Sequence, residues 1–289
     1  MDITDSIINY RRFLKRKNCA KGTIKNYMNS LKNFAIWINV PIEEMTNQHI
    51  QVYIDCLLDK RLKPKTINNN LDSIRGFYNY LQNEEKAVNS NPVKKGYCLR
   101  LGRPLPKHLR DEQAQEIFKF IKSIRDRAIF RLMLRCGLRV EEVADLTLSA
   151  IDLKRSQILI FKGKGAKGRI VYFSKDTYDA LVAYLKRRKP LRTQGLFLVE
   201  KGTYKGKEIS IRGIQKRIEY YSKKSGVKVS CHHLRHTMAT QLLNAGADLE
   251  IIQDLLGHSK ITTTQRYCKV SNLRVQRDYH KAMEYVLQR

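Results

Sequence analysis

Four runs of apolar residues at helical spacing, all within the first ninety positions, constrain this chain more than any other feature. Ile3, Ile7, Tyr10 and Leu14 recur every three or four residues, as do Ile24, Met28, Leu31, Phe34 and Ile38. Ile50, Ile54 and Leu57 form a third set, and Ile67, Leu71, Ile74, Tyr78 and Leu81 a fourth. A helix with one apolar stripe buries it only against another element, so the four predict a compact bundle over residues 1–90. The periodicity then stops. Residues 88–107, VNSNPVKKGYCLRLGRPLPK, carry three prolines, two glycines and several bases, which predicts a basic linker over 91–106.

Beyond it the pattern is mixed. Helices are predicted from Asp111 to about Ile121, Ser123 to Cys136, Val140 to Leu146, Asp176 to Arg188 and Arg212 to Ser225, with Gly137, Gly246 and Gly257 as stops. SQILIF and RIVYFS alternate as two strands around KGKGAKG, a hairpin with a lysine-rich tip. The expected class is mainly α with a small β-sheet (α+β), a helical domain followed by a second domain over 107–289.

The charge balance selects the partner. The chain has 56 Lys plus Arg against 27 Asp plus Glu, a net charge of +29, and its field attracts polyanions. No run of about 18 apolar residues exists, and MDITDSIINY has acids where a signal peptide has bases. A membrane role therefore fits poorly, and nucleic acid leads. Six scattered cysteines (Cys19, Cys56, Cys98, Cys136, Cys231, Cys268) without a CxxC pair suit reduced thiols, so the expected location is cytoplasmic.

SCHHLRHTMA, residues 230–239, packs three histidines, a cysteine and an arginine together. His232 and His236 stand four apart as zinc ligands do, but a zincin needs Glu directly after the first His, and His233 is there. GKGAKGR has the outer glycine spacing of a P-loop, yet Arg169 and Ile170 follow where Lys and Ser/Thr are required. Neither a metal nor a nucleotide cofactor is expected. A different set remains: Arg139 after a Gly-Leu step, Lys164 on the hairpin tip, His232 and Arg235 on one helical face, His258 after Gly257, and Tyr267 nine residues on. Singly, each has an ordinary reading as a solvated charge, a cap or one tyrosine among 15. Together they suit transfer of a phosphodiester to a protein oxygen. Arginines clamp the oxygens that gain charge, and a tyrosine with a base or a cationic neighbour attacks. Lys164 or a histidine protonates the leaving 5′ oxygen.

CGLRVEEVADLTLSAID, KGKGAKGRIVYF and CHHLRHTMATQLLNAGADLEIIQDLLGHSKITTTQRY resemble, in this order, the motif boxes of the tyrosine recombinase (phage integrase) family, most nearly its Xer-type members. The resemblance is strong over about residues 107–275. It implies an N-terminal four-helix core-binding (SAM-like) domain at 1–90 and a C-terminal tyrosine-recombinase catalytic domain at 107–289, with a tail helix from about 272. By position, Arg139 and Arg235 match the arginines that hold the scissile phosphate, Lys164 the acid for the leaving group, and His232 the proton acceptor. His258 matches the phosphate support and Tyr267 the nucleophile; Glu142 matches an acid that braces the first arginine's surroundings, and His236 is expected as a buried hydrogen-bonded partner. Lys162 and Lys167 share the loop with Lys164, and only the alignment of GKG separates the three.

The family implies metal- and ATP-free, site-specific DNA recombination through a 3′-phosphotyrosine and a Holliday junction, for a mobile element or Xer-like resolution. The expected partner is double-stranded DNA with short inverted-repeat core sites, gripped by a two-domain clamp. Contacts are expected from Lys63, Lys65 and Asn68 in KPKTINNN, from Arg103 and Lys107 in the linker, and from Lys162 and Lys167. A homotetramer on two sites, linked by tail docking at the nucleoid, is expected, with an accessory DNA-bending protein as a further candidate partner. Two alternatives stand beside it: type IB topoisomerase-like relaxation, and a non-cutting architectural DNA-binding protein.

Overall fold

A computed structural model describes residues 2–102, 106–161, 168–189, 193–258, 261–267, 279–280 and 283–284. The chain divides into two units, residues 1–103 and 104–289. The first holds α1 (Ile3–Arg16), α2 (Lys21–Trp37), α3 (Asn47–Asp59) and α4 (Pro64–Asn83). Local chemistry starts each helix. Asp2 caps α1 by accepting from Thr4 N at 2.9 Å, Thr46 and His49 cap α3 reciprocally, and Pro64 opens α4 where no amide donor is needed. The stripes read from the sequence meet in one core in which Leu31, Phe34, Ile50, Ile67, Leu71, Ile74, Phe77 and Leu81 are fully buried. Aromatic rings fill its gaps, with Tyr53 edge-on to Phe34 at 5.2 Å and Trp37 beside it at 4.8 Å.

The segment expected as a linker departs from that reading as far as Leu99. Val93 is buried in the bundle core and Tyr97 and Leu99 pack against it. Asn68 donates to Leu99 O at 2.9 Å and accepts from Leu99 N at 2.8 Å, while Arg75 donates to the carbonyls of Val93 and Lys94. Proline and glycine content marked loss of periodicity correctly; it could not show that α4 side chains take over the strap's backbone hydrogen bonds.

The second unit is built from α5 (Asp111–Phe120), α6 (Ile124–Arg135), α7 (Val140–Ala144), α8 (Lys175–Arg187), α9 (Ile211–Ser225), α10 (Cys231–Asn244), α11 (Leu249–Leu256) and α12 (Ile261–Thr264). A small antiparallel sheet lies between α7 and α8, in the order β1 (Ile151–Asp152), β2 (Gln157–Ile160), β3 (Arg169–Tyr172). Both expected strands are present, and β1 is an addition too short to show alternation. In register, Ile158 faces Val171 and Ile160 faces Arg169, which puts Ile158 and Val171 into the core and carries Arg169 inward with them. The helices enclose Ile117, Ala128, Phe130, Leu132, Leu138, Leu181, Leu196 and Leu234. Helical content and one small sheet among the described residues confirm the α+β class. No described helix is long and apolar enough to cross a membrane.

Candidate active site

The C-terminal end of α11 organises the site. Gly257 ends the helix in the left-handed conformation (φ 61°), so the last carbonyls turn outward without helical partners. Three guanidinium groups from three other elements satisfy them. Arg169 Nε donates to Leu255 O at 2.8 Å, Arg235 Nη2 donates to Leu256 O, and Arg139 Nη2 donates to Gly257 O at 3.2 Å. Cations at a helix C-terminus also meet the negative end of its dipole. Arg235 further donates to the carbonyl of Gly137, and at 2% exposure it is buried.

Glu142 keeps this cluster together. Its Oε1 accepts from Arg139 Nη1 at 2.8 Å and Arg169 Nη1 at 2.7 Å, while Oε2 accepts from Arg169 Nη2 at 2.8 Å and the Arg139 amide at 2.7 Å. Burial alone would raise its pKa. The hydrogen bonds from Arg169 and the Arg139 amide, with both positive charges, outweigh that and hold the carboxyl at about 2. Arg235 has no carboxylate of its own, and burial followed by the charge of Arg139 brings it down to about 9. Burial also depresses His258 to about 4, reinforced by Arg235, Arg139, Arg169 and His232. These groups therefore share one electropositive space, in which His258 is neutral at neutral pH and Arg235 stays charged.

The tyrosine belongs to the same assembly. Tyr267 ends a 3-10 turn, Gln265–Tyr267, and its ring is buried with Met238, Ala239, Leu243, Ile252 and Leu256. Its hydroxyl lies 2.6 Å from His236 Nδ1. His232, exposed in the first turn of α10, stands edge-on to the His236 ring at 4.1 Å. His258 Nδ1 lies 3.0 Å from Thr264 Oγ1, tying the post-Gly257 segment to α12. A cavity of about 510 Å³ opens beside the cluster, lined by Arg139, His232, Arg235, Gln215 and Arg212 among others. Among the described residues, no group of three or more His, Cys, Asp or Glu could hold a metal ion.

The structure thus brings together Arg139, Glu142, His232, Arg235, His236, His258 and Tyr267. Lys162, Lys164 and Lys167 lie outside the described residues, as does Arg103. Lys63, Lys65 and Lys107 are exposed. Asn68 is 6% exposed, and both amide atoms are committed to Leu99, so it leaves the set of expected DNA contacts. His233 is half-buried, and burial lowers its pKa. Arg169 is the site residue that motif reading passed over, because it was tested only against a P-loop pattern. Alternation with Val171 was the available signal for an inward-facing arginine at the base of the hairpin.

A helical domain with one small sheet, gathering arginines and histidines around a buried tyrosine at a helix C-terminus, has the architecture of a tyrosine recombinase. The profile described as "Phage integrase family" matches residues 107–274, and "Phage integrase, N-terminal SAM-like domain" matches residues 7–87. The chain belongs to the phage integrase family and is a tyrosine recombinase enzyme. It is 30% identical over 280 residues to Tyrosine recombinase XerC of Bacillus subtilis (strain 168), covering 91% of this chain and 90% of the relative. The crystal structure of XerA recombinase superposes with a TM-score of 0.56 at 26% identity, over 96% and 98% of the two chains. The Tn1549 transposon integrase, solved with a circular intermediate DNA, gives 0.76 at 22% identity over 92% and 95%, a likeness of fold.

Proposed function

We propose that this site-specific recombinase cleaves and rejoins double-stranded DNA at short inverted-repeat core sites through a 3′-phosphotyrosine. Two such cleavages exchange one pair of strands and form a Holliday junction, and a second pair resolves it, within a homotetramer assembled in the cytoplasm. The observation that carries the reading is the meeting of Arg139 and Arg235 at the α11 terminus, in the same assembly as the buried Tyr267 hydroxyl. Solved relatives bound to DNA support the choice of partner.

Arg139 and Arg235 hold the non-bridging oxygens of the scissile phosphate. Fixed by carbonyls and Glu142 before substrate arrives, they stabilise the charge that develops on those oxygens without reorganising, a contribution of roughly 3 kcal/mol per donor. His258, neutral and held by Thr264, adds a hydrogen bond to the same phosphate. Tyr267 Oη attacks phosphorus, the bond to the 5′ oxygen breaks, and Lys164 supplies that oxygen's proton. The phenolic proton passes to an imidazole of the α10 pair. The phosphotyrosine conserves the ester, so a 5′ hydroxyl from either duplex reverses the step without ATP. Lys63, Lys65, Lys107, Lys162 and Lys167 contribute phosphate contacts, which makes affinity fall steeply with salt. The bundle of residues 1–90 acts as the core-binding domain, and the tail from about 272 links subunits.

The test uses nicked suicide duplexes, on which the cleaved strand cannot be resealed, in EDTA and without ATP. The full chain is expected to form a denaturant-resistant protein–DNA adduct, and Tyr267→Phe to bind equally well and form none. An adduct with Tyr267→Phe reassigns the nucleophile. Tight binding with no adduct on any duplex favours the architectural alternative.

A further inference from the structure

Family resemblance gives His232 the proton of the nucleophile and leaves His236 a supporting place. The geometry distributes the two histidines differently. Tyr267 is 2% exposed, and its hydroxyl is directed at His236 Nδ1, 2.6 Å away, the ring centroids being 5.4 Å apart. His236 follows Arg235 in the chain, so one helical turn fixes both the buried phosphate arginine and the group against the hydroxyl. His232 stands one turn earlier on α10, its ring 4.1 Å from that of His236 at an interplanar angle of 73°.

We infer that His236 Nδ1 takes the Tyr267 proton as the phenolic oxygen attacks phosphorus, and that His232 orients the His236 ring. The inference rests on Tyr267 being the nucleophile, as proposed above. A phenol with an ordinary pKa near 10 needs a base at neutral pH, and a base acts from hydrogen-bond reach of the proton it removes. Nδ1 stands at that reach on a half-buried ring, against a hydroxyl whose own residue is buried, and partial burial strengthens a hydrogen bond electrostatically relative to solution. With Nδ1 as acceptor, the neutral ring carries its own proton on Nε2. In the step, the Oη–P bond forms and the bond from phosphorus to the 5′ oxygen breaks. The phenolic proton moves to Nδ1, and the departing 5′ oxygen receives its proton from Lys164. Rejoining runs the same transfers backwards, returning the proton from His236 to Tyr267. Arg235 and Tyr267 lie within reach of each other's field.

Adduct formation on nicked suicide duplexes, measured for the full chain with His236→Ala, His236→Gln and His232→Gln, tests the assignment. His236→Ala is expected to slow cleavage by about 10²–10⁴-fold at unchanged DNA affinity, the usual worth of a positioned base. Added imidazole is expected to restore part of the rate by occupying the space left. A substrate with sulfur in place of the 5′ bridging oxygen, which needs no acid to depart, is expected not to rescue it. His232→Gln is expected to lose less than His236→Gln. If His236→Ala does not fold, judged by circular dichroism, His236→Gln carries the test, since an amide keeps a hydrogen bond and is no base. Cleavage by His236→Gln within threefold of wild type overturns the assignment, as does rescue of His236→Ala by sulfur but not by imidazole. An adduct lost in Tyr267→Phe but kept in His236→Gln sinks the His236 role alone. One that survives Tyr267→Phe sinks the nucleophile as well.

Discussion

Inside the N-terminal bundle the polar groups are neutral and answer mainly to backbone. Tyr78 donates to Ile42 O at 3.1 Å, Asn70 and Ser73 bond carbonyls one turn back, and Asn68 closes on Leu99. The catalytic unit instead buries charge. Asp126, with no exposure, accepts from Arg125, Arg217 and Tyr221 and ties α6 to α9. Glu142 holds Arg139 and Arg169, and Arg235 rests on carbonyls alone. Buried ions cost several kcal/mol each before pairing returns it, so a unit carries them where the fold or the chemistry demands fixed charge. The bundle keeps its interior neutral; the catalytic unit keeps its buried cations in fixed places, as the proposed phosphate clamp requires.

The largest expected effect comes from breaking that arrangement at Glu142. Glu142→Ala leaves Arg139, Arg169 and Arg235 facing one another and is expected to destabilise the catalytic unit by about 3–5 kcal/mol. The bundle should not notice. Trp37, the only tryptophan, lies on α2, so fluorescence reports the bundle while far-ultraviolet circular dichroism reports both units. In urea the dichroism transition is expected to split and move earlier, with the Trp37 transition fixed. Transitions that shift together would show that the two units do not unfold independently.

Acid probes the same contrast without mutation. Glu142 is held below its ordinary 4.5 at about 2, so its contribution is present above about 4.5 and is lost as pH falls towards 2. His258 is held below 6.5 at about 4, so the folded unit resists protonation and loses stability as pH falls from 6.5 to about 4. Titration from neutral pH is expected to weaken the catalytic unit before Trp37 fluorescence changes. Coincident loss of both signals would break the comparison.

Asn68→Ala sharpens it from the other side. Two hydrogen bonds to Leu99 are lost, worth about 2 kcal/mol in all. The expected outcome is an earlier Trp37 transition, faster proteolysis near Leu99, and an unchanged cleavage rate on DNA that is already bound. An altered rate at saturating DNA would mean that Asn68 serves more than the strap.

How much of this was legible in the sequence follows the same division. The bundle was readable because its helices bury apolar stripes of period 3.6, which leave a direct trace in residue order. The fate of residues 91–99 was not, since side-chain to backbone bonds across 31 positions, as from Asn68 to Leu99, have no local signature. In the catalytic unit the ordered series from Arg139 to Tyr267 was visible as a constellation, though its spacing could not show which histidine meets the hydroxyl. His232 and His236 lie on one face of α10, and only the placement of the turn carrying Tyr267 brings His236 against it. Arg169 was hidden for another reason. A strand-initial arginine in a basic loop reads as solvated until its partner, Glu142, is known to lie 27 residues earlier against the same helix end.

The smallest expected loss of stability separates fold from chemistry within the catalytic unit itself. Gly257 and Gly226 both end helices with positive φ, 61° and 72°. Replacing either with Ala imposes the left-handed backbone on a side chain, at about 1–2 kcal/mol. Their surroundings differ. A Cβ at Gly226 meets nothing within 4 Å, whereas at Gly257 it stands 3.1 Å from both Cδ and Nη1 of Arg169. To make room, Arg169 must shift against Glu142, which also holds Arg139, and the Gly257 and Leu256 carbonyls under Arg139 and Arg235 move with the cap. Misplacement of a positioning group by about 1 Å costs up to roughly 10²-fold in rate, and the shift needed here is a few tenths of that. Gly226→Ala is therefore expected to lower the melting temperature and leave adduct formation unchanged, and Gly257→Ala to lower it about as much while cutting the cleavage rate severalfold. Equal rates in the two variants would mean that the α11 terminus tolerates displacement, and that the arginines find the phosphate without it.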